Sequence, residues 1–70
     1  MASKRDIVSE IRSQYGNTLS QNQVRQYLGF GTHQTMAFVS DIPYIQTGRA
    51  KRFFAIDIGR KLYEMQANKQ

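Results

Sequence analysis

Apolar residues recur at helical spacing in four segments of the chain, and two β-prone runs separate the last two of them. The first segment predicts a helix from Lys4 to Gln14. Ser3 or Asp6 can cap its amino end, and Gly16-Asn17 ends it, because both residues tolerate the backbone conformation of helix ends. The apolar positions that share one face of this helix are Ile7, Val8, Ile11 and Tyr15.

The next two segments predict two short helices joined by a glycine-containing turn. Residues 20–23 form the S-x-x-Q pattern of a capping box, and Gly29 closes the second helix after about two turns. The third helix is predicted from His33 to about Asp41, with Gly31 or Thr32 as its cap and Pro43 as its stop. Its apolar face holds Thr35, Phe38, Val39 and Ile42.

The last third of the chain predicts a β-hairpin followed by a helix. Tyr44–Thr47 and Arg52–Ala55 are β-prone, and the four residues Gly48–Lys51 between them predict a basic loop. Asp57 then caps a helix from Ile58 to roughly Ala67. Four aromatic residues fall on the predicted buried faces and are expected in the core rather than as base-stacking platforms: Tyr27, Phe30, Phe38 and Phe53.

Length and composition predict one small domain over residues 1–70. The chain has no cysteine, one histidine and no carboxylate pair at metal-ligand spacing, so we predict neither an enzyme nor a metal or cofactor site. No apolar run approaches the roughly 20 residues of a membrane span, and a cytoplasmic protein is expected.

The net charge is +5, and residues 42–70 hold six of the ten cationic residues but two of the five carboxylates. A basic region of this kind is typical of proteins that bind polyanions, usually nucleic acid.

Two short helices, a basic hairpin and a capped final helix resemble the excisionase and MerR-type winged helix-turn-helix family. Tyr27–His33 is similar to the family's turn into the recognition helix, Ile45–Phe53 to its wing, and Asp57 to the cap of its last helix. The resemblance covers residues 19–66, and residues 3–15 form an extra N-terminal helix. It implies a mostly α fold of four helices with a two-stranded wing, and it implies double-stranded DNA as the partner.

The chain departs from the family pattern at three places. It has the N-terminal helix, it continues the second wing strand with Phe54-Ala55-Ile56, and its recognition helix exposes no Lys or Arg. We treat the first two as one feature: Phe54 and Ile56 supply the surface on which the first helix lays its apolar face.

The resemblance and the charge pattern select three groups of candidate DNA-contacting residues. The recognition helix offers Thr32, His33, Gln34 and Ala37, for base edges and for a phosphate at its amino end. The wing offers Gly48, Arg49, Lys51 and Arg52, for phosphates or a minor groove. A weaker group for the DNA backbone is Gln21, Arg25, Arg60 and Lys61. Each group also has an ordinary interpretation as a solvated helix face or as charge that protects a hairpin edge.

The predicted function is sequence-preferring binding of double-stranded DNA. If about five cations meet phosphates, the logarithm of affinity falls with the logarithm of salt at a slope of about −4 to −5. The resemblance implies an excisionase-like architectural factor that acts in several copies beside an integrase of a phage or mobile element. Two alternatives stay open. One is a small transcriptional regulator built on the same module, and the other is a protein-interaction adaptor whose basic wing docks an acidic partner.

Overall fold

The computed structural model describes residues 3–67, which form four helices and three strands. In chain order the elements are α1 (Lys4–Tyr15), β1 (Thr18–Ser20), α2 (Gln21–Leu28), α3 (Thr32–Val39), β2 (Tyr44–Thr47), β3 (Ala50–Phe54) and α4 (Ala55–Ala67). The strands make one antiparallel sheet with the order β1-β3-β2. The expectation of a mostly helical domain with a small β element is confirmed. The sequence also predicts a frayed end over residues 67–70, and residues 68–70 lie outside the described residues.

The capping box predicted at α2 is present, and Ser3, one of the two caps predicted for α1, forms a capping box with Asp6. The Ser3 hydroxyl accepts from the Asp6 amide at 3.2 Å at the start of α1. The Ser20 hydroxyl accepts from the Gln23 amide at 3.1 Å, and the Gln23 side chain accepts from the Ser20 amide at 2.9 Å. At the other end of α2, Gly29 adopts the left-handed conformation with φ of 72°. The two helices therefore begin and end within one residue of their predicted bounds.

The third helix is shorter than predicted. It ends at Val39, two residues before Asp41, and Ser40 caps it, with its hydroxyl donating to the Ala37 carbonyl at 2.8 Å. Its predicted apolar face is confirmed as buried, at Thr35, Phe38, Val39 and Ile42.

The sheet has a third strand that the sequence pattern did not predict. β1 pairs with β3, so that Leu19 lies opposite Phe53 and Ser20 opposite Arg52. A strand of three residues is too short to display the alternation that identifies a strand. The predicted two-stranded wing is therefore wrong in its strand number.

The hairpin turn and the start of α4 also differ from the prediction. Thr47 pairs with Ala50, so the connection is the two-residue turn Gly48-Arg49 rather than a four-residue loop. Gly48 has φ of 61°, which fits the type II′ hairpin turn that favours glycine at its first central position. α4 begins at Ala55, directly after β3, and Asp57 lies in its first turn instead of capping it.

The core joins all four helices to one face of the sheet. Its buried members are Ile11, Leu19, Val24, Phe38, Val39, Ile42, Phe53, Ala55 and Ile58. Tyr27 and Phe30 pack partly buried against this cluster, and the predicted core role of the four aromatic residues is confirmed.

Helix α1 packs against α4 through its predicted apolar face, but the residues that it contacts are not the predicted ones. Ile11 is fully buried, and Gly59 of α4 lies directly against Val8. Phe54 and Ile56 stay 39% and 57% exposed, so neither is buried beneath α1, and Ile56 lies beside Val8 only at the outer edge of the contact. The spacing of apolar residues in α1 predicted that this helix needs an apolar surface to pack on. Because α4 begins directly after β3, its first turns form that surface.

Candidate nucleic-acid interface

The first turn of α2 and the first turn of α3 line a shallow cleft. Its residues are Gln21, Asn22, Arg25, Thr32 and Thr35. The Arg25 guanidinium donates to Asn22 Oδ1 from Nε at 3.2 Å and from Nη2 at 3.1 Å, which orients the cation along α2. The Gly29–Gly31 turn brings Thr32 back to this cleft, because it reverses the chain between the two helices.

A second cleft adjoins the first and reaches the hairpin turn. Its residues are Ser20, Gln21, Arg49, Ala50 and Lys51. Ser20 is held opposite Arg52 in the sheet, and α2 therefore starts beside the hairpin. Gln21 lines both clefts, so the cleft of Thr32 and the cleft of Arg49 meet at this residue. We call the residues of the two clefts together the α2–hairpin surface.

The α2–hairpin surface has three cations and no carboxylate, although the chain has five carboxylates, all within residues 3–67. Asp41, Asp57 and Glu64 line a different cleft between the end of α3 and α4. Asp6 takes part in the cap of α1, and Glu10 accepts a 2.8 Å hydrogen bond from the Tyr27 hydroxyl. The charges are thus segregated, and the lining residues of the α2–hairpin surface carry only positive charge.

The exposed side of α3 carries the other predicted recognition residues. His33, Gln34 and Ala37 are exposed and line neither cleft. Gln34 Oε1 accepts from the Gly31 amide at 3.3 Å and so takes part in the cap of its own helix. Met36 was not among the predicted site residues. It is 53% exposed and lies between Gln34 and Ala37 in the chain. The available signal was the helical spacing of Thr35, Phe38 and Val39, because Met36 does not share their face.

The hairpin cations are held in different ways. Lys51 Nζ lies 4.7 Å from the centroid of the Tyr44 ring, on the same face of the hairpin. Arg49 occupies the turn, at the exposed tip of the hairpin. Arg52 instead points to β1, where Nη2 donates to Thr18 Oγ1 at 3.0 Å and to the Thr18 carbonyl at 3.2 Å. Of the predicted wing cations, the structure assigns Arg52 a role within the sheet.

Arg60 and Lys61 lie away from the α2–hairpin surface, in the cleft that holds three carboxylates. Arg60 pairs with Asp57 at 2.7 Å. Lys61 Nζ donates to the Phe38 carbonyl at 2.5 Å and to Asp41 at 2.6 Å, and it lies over the Phe38 ring. The hydrogen bond from Lys61 lowers the pKa of the Asp41 carboxyl. Contact of these two cations with DNA stays a prediction, and both have partners within the fold.

Other kinds of site find little support among residues 3–67. That part of the chain contains no cluster of three or more histidines or carboxylates able to hold a metal ion. None of the helices in the described range has the length and apolar character needed to cross a bilayer. Comparisons of the chain with protein-family models, with curated proteins and with solved structures found no match.

Proposed function

We propose that the chain is a winged helix-turn-helix protein that binds double-stranded DNA. α2 and α3 are the helix-turn-helix, and the β2–β3 hairpin is the wing, to which β1 adds a third strand. In this proposal α3 enters a major groove with His33, Gln34 and Met36, while Arg49 and Lys51 reach a neighbouring backbone or minor groove.

The observation that carries the proposal is the α2–hairpin surface. Its two clefts share Gln21; Arg25 and Thr32 line one of them, Arg49 and Lys51 line the other, and no carboxylate is among the lining residues. A duplex presents phosphates on both sides of a groove, so a protein that follows it needs cations at separated points of one concave surface. The backbone amides at the start of α2 and α3 favour anions at the same place.

The test is fluorescence anisotropy with labelled random-sequence duplex DNA at low salt. We expect binding by the wild-type chain and weaker binding by Arg49→Ala. Arg60→Ala is the matched control, because it removes the same charge from an exposed arginine outside the α2–hairpin surface. Absence of binding would contradict the proposal, and equal losses in the two variants would contradict the placement of the duplex on the α2–hairpin surface.

Within DNA binding, we propose an excisionase-like architectural role, in which several copies bind tandem sites beside a recombinase. This part rests on the resemblance of Tyr27–His33 and Ile45–Phe53 to that family. One such domain makes few base contacts, and repeated sites increase the total specificity. Footprinting on DNA from the source locus distinguishes this role, with tandem protection at an attachment junction, from that of a transcriptional regulator, with protection over a promoter.

A further inference from the structure

A groove of about 700 Å³, separate from the three clefts described above, runs along the outer side of α1, where α1 meets the first turn of α4. Val8 and Ile56 form its apolar floor, and Ile56 is 57% exposed. Around the floor lie the cations Lys4, Arg5 and Arg12, together with Asn17 and two serines. We call this feature the α1 groove.

The α1 groove carries positive charge without compensation. None of its lining residues, all of them described, is acidic. The two carboxylates of α1 are engaged elsewhere, Asp6 in the helix cap and Glu10 with Tyr27 of α2. Arg12 Nε donates to Asn17 Oδ1 at 2.9 Å, and this neutral partner holds the guanidinium at the rim with its charge intact.

Two of these cations occupy positions that lower the stability of α1. Lys4 and Arg5 are the first two residues of α1, and cations at a helix amino end oppose the helix dipole. Ile56 likewise leaves most of its surface in water. The groove therefore combines exposed apolar surface with unfavourably placed charge, and both costs are relieved by one ligand that is apolar and acidic.

The α1 groove and the α2–hairpin surface have no lining residue in common. A duplex has acidic phosphates but no exposed apolar stripe that matches Val8 and Ile56, whereas an amphipathic protein helix has both features. Residues of α1 from Lys4 to Ser13 line the groove, which at 1.5 Å per residue gives a length of about 14 Å, close to three helical turns.

We propose that the α1 groove is the docking site for an acidic amphipathic helix of a partner protein. Apolar side chains of the partner at positions i, i+4 and i+7 lie on Val8 and Ile56, and its carboxylates face Lys4, Arg5 and Arg12. Docking at this groove leaves the α2–hairpin surface free for DNA. The proposal does not depend on DNA binding.

The probe is a fluorescein-labelled synthetic peptide of about four helical turns with leucine at i, i+4 and i+7 and glutamate at most other positions. A scrambled peptide of identical composition is the first control, and a peptide with glutamine in place of glutamate is the second. We expect saturable binding of the acidic amphipathic peptide, at least about tenfold weaker binding of both controls, and weakening by added salt.

Variants of the chain locate the binding. Ile56→Ser and Arg5→Ala are expected to weaken peptide binding about tenfold or more without lowering thermal stability, since both residues are exposed. Met65→Ser and Arg49→Ala are the matched controls, an equally exposed apolar residue of α4 and a cation of the hairpin, and both keep peptide affinity. Arg5→Ala keeps DNA affinity.

The proposal is overturned if the amphipathic peptide does not bind, or if the scrambled peptide binds equally well. It is also overturned if Arg49→Ala weakens peptide binding as much as Arg5→Ala does, because the peptide then occupies the α2–hairpin surface as a mimic of DNA. Circular dichroism of each variant separates loss of binding from loss of folding.

Discussion

Gly59 is the residue that lets α1 and α4 pack closely. A Cβ at this position would lie 2.4 Å from Val8 Cγ2, and also 3.2 Å from Val8 Cα and 3.3 Å from its amide nitrogen. The side-chain methyl can rotate, but the backbone atoms move only if the whole helix moves. A glycine in the first turns of a helix weakens that helix in isolation, and here it is compensated by close packing.

We therefore predict that Gly59→Ala destabilises the protein. Overpacking costs about 1–3 kcal/mol and the better helix propensity of alanine returns at most about 1 kcal/mol, so the net loss is about 1 kcal/mol in urea unfolding. The matched control is the same substitution in a Val8→Ala background, which removes the Cγ2 atom that the new Cβ would meet. There we expect Gly59→Ala to cost less than it does in the wild type, by about 0.5 kcal/mol or more. Equal losses in the two backgrounds would show that the contact with the Val8 side chain is not limiting.

At the level of secondary structure, helices were better predicted from the sequence than strands. The bounds of α1 and α2 followed from Ser3, Ser20 and Gly29, because caps act through bonds between residues three or four apart. β1 was missed, since its partners Arg52–Phe54 are more than thirty residues away and three residues show no periodicity. The same missing strand explains why Arg52 was predicted among the wing cations that contact DNA.

The link between β1 and β3 gives a prediction of its own. Thr18 Oγ1 accepts from Arg52 Nε at 3.2 Å and from Nη2 at 3.0 Å. Thr18→Val keeps the β-branched shape but removes both bonds, and we expect a loss of about 1 kcal/mol in urea unfolding. Thr47→Val in β2 makes the same chemical change in a fully exposed strand and is expected to be neutral or slightly stabilising. A neutral Thr18→Val would mean that the two hydrogen bonds to Thr18 Oγ1 do not contribute to stability.

The contact between α1 and α2 makes stability depend on pH. Burial and the hydrogen bond to Glu10 raise the pKa of Tyr27 from 10.0 to about 12. Because the folded chain holds the proton more tightly than the unfolded chain, this stabilisation is complete below pH 10 and is lost as pH rises toward 12. We predict that Tyr27→Phe, followed by chemical unfolding across this range, loses less stability between neutral and high pH than the wild type does. An unchanged dependence on pH would exclude Tyr27 as its source.

For the whole molecule, the positions of the charges matter more than the net value of +5. The composition identified a basic chain and the region with most of the excess. It did not show that Arg52, Arg60 and Lys61 have partners within the fold, because these contacts join residues distant in sequence or depend on where α4 begins. Of the other cations in residues 3–67, Arg25, Arg49 and Lys51 line the α2–hairpin surface, and Lys4, Arg5 and Arg12 line the α1 groove.

This division changes the expected salt dependence of DNA binding. Five phosphate contacts give a slope of about −4 to −5, whereas the three cations of the α2–hairpin surface, Arg25, Arg49 and Lys51, give about −3. Anisotropy titrations over a series of salt concentrations measure the slope directly. Arg49→Ala is expected to make it shallower by about 0.9, while Arg60→Ala leaves it unchanged. A wild-type slope near −5, made shallower by Arg60→Ala, would mean that α4 contacts DNA and that its ion pairs open on binding. The slope therefore counts the cations that meet phosphates, and the variants show which element carries them.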